Sequence, residues 1–145
     1  MTGIRLPQMP PRTLFVPLMY GAVVLFWMGL EDRGTLTVAL LGWAGSAVAI
    51  GYSLLRQYAG VTVTRGQLLG AGVVVGALVG VGAVLATVLL MFFKTSWHGH
   101  LFPDYPTTMM LAMFDRWLAW GGAGAALGVA LVLVIYSTRV RGARD

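Results

Sequence analysis

Residues 68–93 read LLGAGVVVGALVGVGAVLATVLLMFF, a run without one charged side chain. Roughly 26 residues wound as a helix rise about 39 Å, which exceeds the roughly 30 Å hydrocarbon core of a bilayer. The expected surroundings of this stretch are therefore lipid. Gly70, Gly72, Gly76, Gly80 and Gly82 lie within it, and the 72/76/80 set is a doubled small-xxx-small pattern that strips one helix face of side-chain volume. Such a face invites a neighbouring helix.

Outward from this run, three more apolar segments stand at 13–30, 36–55 and 117–137, each near or above the roughly 17 residues needed to cross. Only Glu31-Asp32-Arg33-Gly34-Thr35 separates the first two, so they can join only as a tight antiparallel pair. The stretch from Pro106 to Tyr136 is too long to cross upright, which implies a break or an interfacial segment. The expected fold is an all-α integral membrane protein, residues 1–145 forming one polytopic domain. Its four transmembrane helices form two antiparallel hairpins, with an interfacial or broken helix before the last span and an outer loop at 94–116.

Composition agrees: 58% apolar with 10% charged is too greasy for a soluble fold of 145 residues. The chain has no cysteine, which excludes disulfides, thiol nucleophiles and Cys-based metal sites. The net charge of +5 does not point to nucleic acid, because the basic residues are scattered at the edges of apolar segments. Nine arginines against one lysine, in an Ala/Gly/Val-rich chain, suggest a GC-rich gene and hence a bacterial inner membrane.

Lys and Arg are retained on the cytoplasmic side. Arg5, Arg12, Arg56, Arg65, Arg139, Arg141 and Arg144 fall on one side of the four spans, against Arg33, Lys94 and Arg116 on the other. Both termini are thus expected in the cytoplasm of a multi-pass cell-membrane protein, with the first segment an uncleaved anchor. Trp27, Trp97, Trp117 and Trp120 fall at the expected outer boundary and Tyr52, Tyr58 and Tyr136 at the inner one, where amphipathic rings prefer to sit. Trp43 lies deeper and needs a partner for its N–H or a water. Trp43, Gly45 and Gly51 also repeat the spacing of Trp120, Gly122 and Gly128, a faint echo between the second and fourth spans.

The glycines 72, 76 and 80 have counterparts in Gly124 and Gly128, with Gly121 and Ala125. The plain expectation is that these helix-packing residues face each other inside one bundle. The sharper one is that one stripe faces another subunit, as a homo-oligomer or a larger membrane complex. A glycine-lined pore is poorly supported, since beyond Ser46, Ser53 and Thr87 the spans carry few polar groups and none of the buried charges that mark ion pathways. Neither histidine lies within a span, which argues against haem.

Chemistry concentrates in the outer loop. His98, His100 and Asp104 supply three N/O donors suited to zinc or copper, with Glu31 and Asp32 on the same face. No other cofactor is called for. The plain alternatives are that the imidazoles cap carbonyls or meet headgroups, and that Asp104 caps the helix after Tyr105-Pro106-Thr107. Met109 and Met113 share a helix face and read as packing residues before soft metal ligands. Lys94 could pair with Asp115. No phosphate loop, H-E-x-x-H or catalytic triad context occurs, and a dinucleotide reading of Gly122 and Gly124 fails without a preceding strand. The functional expectation is a structural or accessory subunit of a membrane complex. The alternatives are a small-ligand or metal-binding or transport module at His98/His100/Asp104, or a membrane enzyme using that cluster.

Overall fold

The computed structural model describes residues 4–31, 33–99 and 103–141. In chain order they form β1 (Ile4–Arg5), a 3-10 turn (Pro11–Leu14) leading into α1 (Phe15–Met28), and α2 (Thr35–Tyr58). There follow β2 (Thr62–Val63), α3 (Arg65–His98), α4 (Thr107–Phe114) and α5 (Trp117–Arg141). Four helical stretches are long and apolar enough to cross a membrane: Pro11–Met28, Thr35–Tyr58, Arg65–His98 and Trp117–Ser137. The chain is mostly helical and compatible with a multi-pass membrane protein.

The third helix outruns its apolar stretch at both ends. A capping box starts it: Gln67 N–H donates to Thr64 Oγ1 at 3.3 Å, and Thr64 N–H donates back to Gln67 Oε1 at 2.9 Å. Gly99, at φ 58°, ends it in the left-handed conformation that glycine tolerates best. Lys94 marks the end of the uncharged run but nothing there breaks the helix, so the loop begins at Gly99 and not at residue 94. At 34 residues α3 is about 51 Å long. Helical structure also stops at Phe114 and resumes at Trp117, so a turn at Asp115 and Arg116 sets α4 apart from α5.

Helix α3 is the axis of the molecule, with α5 along one flank and α2 along another, while α1 lies outside against α2 and α4 rests on α3. Backbones meet where side chains are missing. A Cβ on Gly72 would fall 2.9 Å from the Gly128 carbonyl oxygen, one on Gly76 would strike the Gly124 carbonyl, and one on Gly80 the Trp120 carbonyl. Against α2, the absent Cβ of Gly42 leaves room for the Thr87 hydroxyl, and Ser46 Oγ donates to the Val79 carbonyl at 2.9 Å. Tyr20 on α1 donates its hydroxyl to the Leu41 carbonyl at 3.0 Å, in space left by Gly45.

The echo between α2 and α5 does not extend to packing. Gly45 receives a tyrosine and Gly122 meets nothing, while Gly51 is open and Gly128 touches Gly72.

The two-residue ladder is a departure from an all-α fold. Ile4 pairs with Val63 and Arg5 with Thr62, and Leu6 N–H donates to the Val61 carbonyl at 2.9 Å. Pro7, Pro10 and Pro11 keep the leading segment from continuing as helix, so it runs extended and finds a partner in the α2–α3 connection. At the same end Tyr136 donates its hydroxyl to the Arg65 carbonyl at 2.8 Å. The leading segment, the α2–α3 connection and the last turns of α5 thus share one end. The α1–α2 connection and the segment before α4 share the other, and the tightest core, Trp27, Val38, Met91, Tyr105 and Met113, sits there.

Candidate functional site

Beside that core a polar knot joins two connections and the end of α3. Asp104 is its centre, its side chain 3% exposed. One carboxylate oxygen lies 2.5 Å from His98 Nδ1, on the last turn of α3, and the other 3.3 Å from Arg33 Nε, in the α1–α2 connection. Arg33 is 64% exposed, so the acid meets a mostly buried imidazole on one oxygen and a solvated guanidinium on the other. The Tyr105 backbone N–H donates to Thr95 Oγ1 at 3.2 Å, tying the segment after Asp104 to α3. A burial this deep is tolerable for a carboxylate only with such partners.

The expected helix cap is therefore not what Asp104 does. Pro106 occupies the N-cap of α4 with no side-chain hydrogen bond, and Asp104 turns instead toward His98 and Arg33. His98 meets the Asp104 carboxylate, where the plain expectation was a backbone carbonyl, a headgroup or water.

Lys94 is a second correction. It belongs to α3, is fully buried, and forms no ion pair with Asp115. Its Nζ donates to the Trp27 carbonyl at 3.3 Å and lies 3.9 Å from the centroid of the Trp27 ring. Four methylenes let the stem stay among apolar neighbours while the ammonium reaches a carbonyl and an aromatic face. Trp27, expected at a wet boundary, is accordingly 4% exposed.

Of the metal candidates, His98 and Asp104 come together as a hydrogen-bonded pair, while His100 lies outside the described residues, as does Asp32. Among the described residues no group of three His, Asp or Glu side chains surrounds a common point. Met113 is buried in the core and Met109 is exposed. The helix-packing glycines lie along two lines of contact between α3 and α5, Gly72, Gly76 and Gly80 on one and Gly124 and Gly128 on the other. No family model matches the chain, and comparison with curated proteins and with solved structures finds none similar to it.

Sequence reasoning missed Arg33 as the partner of Asp104 and Trp27 as the partner of Lys94. A signal existed for the first: an even number of crossings puts the connection after α1 and the one after α3 at the same end, where opposite charges can meet.

Proposed function

We propose that this chain is a multi-pass protein of a bacterial inner membrane, both termini cytoplasmic, serving as a structural or accessory subunit of a membrane complex. The observation that carries the reading is how the middle of the bundle is filled. Backbone rests on backbone between α3 and α5, and the buried hydroxyls of Ser46 and Thr87 are spent on the Val79 and Ala83 carbonyls. A helix core so closed by its own backbone supports a rigid part better than a carrier, whose pathway needs ionisable groups or polar cavities.

The outer helix supplies the docking face of that subunit. Phe15, Leu18, Leu25 and Phe26 are exposed along α1, which packs mainly against α2 and meets α3 at Trp27, so a partner's helix can lie there. The arginine tally supports the orientation. The test is native electrophoresis of mildly solubilised membranes. The wild type should migrate within a larger assembly, and Leu18→Trp with Leu25→Trp should release it as a folded monomer. A wild type that migrates alone defeats the reading.

The pairing of His98 with Asp104 at 2.5 Å favours a second reading, a metal or small-ligand module at His98/His100/Asp104. Carboxylates commonly orient imidazoles that bind metals. Zinc or copper retained in equimolar amount by the purified protein, and lost in His98→Ala/His100→Ala, would favour it.

A further inference from the structure

Between α2 and α5, over α3, runs an open apolar groove. Two adjoining cavities of about 550 and 370 Å³ share Trp43 and Trp120 as walls. Leu36 and Leu40 line its upper part, and Ala123 and Leu127 its lower part over a floor at Gly80 and Gly124. At the mouth stands Arg116, exposed and in no ion pair with any described residue. Trp43 is 42% exposed and lines this groove, and its deep indole makes no hydrogen bond among the described residues.

The dimensions restrict what fits. From Trp117 to Leu127 helix α5 rises about 15 Å, and one leaflet of a hydrocarbon core of roughly 30 Å is about 15 Å thick. The groove is thus as deep as one leaflet, with its single positive charge at the surface level and only apolar or indole walls below. A transmembrane helix from a partner would need a seat through both leaflets. A lipid needs only one.

We infer that the groove binds one chain of an anionic phospholipid, with the phosphate at Arg116 and the acyl tail between Trp43 and Trp120, ending near Leu127. The inference rests on the multi-pass reading above. Arg116 supplies the charge complementarity that distinguishes an anionic headgroup from a zwitterionic one. Ala119, Ala123 and Gly124 keep the wall low enough for a chain to lie against α5.

The experiment is native mass spectrometry of the full chain extracted in mild detergent and offered palmitoyl-oleoyl phosphatidylglycerol or phosphatidylcholine. The wild type should retain one phosphatidylglycerol with about fivefold preference, the scale of one basic residue near an anionic headgroup. Arg116→Gln should erase the preference, and Ala123→Phe, which fills the groove, should abolish retention of either lipid, both variants keeping the wild-type circular dichroism. Equal retention of the two lipids by the wild type, or an undiminished preference in Arg116→Gln, would overturn the inference while leaving the multi-pass reading intact. So would a second copy of the chain held in place of lipid. Recovery of the wild type without detergent would remove the multi-pass reading itself, an outcome visible before any lipid is added.

Discussion

Gly76 on α3 and Gly124 on α5 stand so close that each carbonyl oxygen occupies the place where the other residue would carry a Cβ. Dispersion between backbones is the main attraction open to helices in lipid, where pressing apolar side chains together gains nothing over the acyl chains. The contact is therefore intolerant of even one methyl. Gly76→Ala should destabilise the protein by about 1–3 kcal/mol, the usual cost of overpacking. Gly122→Ala, in open space, should be neutral or stabilise by up to about 1 kcal/mol. Thermal unfolding of the two variants in one detergent measures the contrast, and equal melting temperatures would contradict the close approach.

Asp104 should matter far more than Arg33. Asp104→Asn leaves His98 and Arg33 without their acid in a buried place, a loss of about 1–3 kcal/mol. Arg33→Gln removes only a solvated partner, worth at most about 1 kcal/mol. Limited proteolysis between α3 and α4 should accelerate in the first variant and change little in the second.

Lys94 fastens the far end of α1 to α3. Lys94→Ala removes both the contact with the Trp27 ring and the donor to its carbonyl, and a desolvated cation–aromatic pair is worth about 2 kcal/mol. Lys94→Met keeps most of the volume and should lose less. Melting temperatures in one detergent should fall in the order wild type, methionine, alanine.

Ser46→Ala breaks the hydrogen bond that joins α2 to the Val79 carbonyl. Side-chain hydrogen bonds between helices in membranes average about 0.6 kcal/mol. The melting temperature should therefore drop only slightly, and by clearly less than for Gly76→Ala. A larger drop would assign the α2–α3 seam to the hydroxyl instead of to packing.

The long apolar helices were legible because a single physical demand, enough uncharged residues to outspan hydrocarbon, is written continuously along the chain. Their ends were less so: hydropathy stops at Phe93, whereas the helix obeys its own stops, the Thr64–Gln67 box and Gly99. The polar knot was half legible. His98 and Asp104 stood out by type, but the local rule for a residue before Tyr105-Pro106 made Asp104 a cap. One of its two partners, Arg33, lies on a connection about seventy residues away, where no spacing rule reaches. Burial of Lys94 was hidden for the same reason, since charge at the edge of a greasy run reads as solvated until a neighbouring ring is brought over it. The ladder of Ile4 with Val63 left no periodic trace, being only two residues long on each side.

That ladder also imposes an order on biosynthesis. Its second strand does not exist until the ribosome has passed Val63, by which time α1 and α2 are already made. A nascent chain halted before Thr62 would keep its amino end untethered, so the first helix is threaded early and moored late.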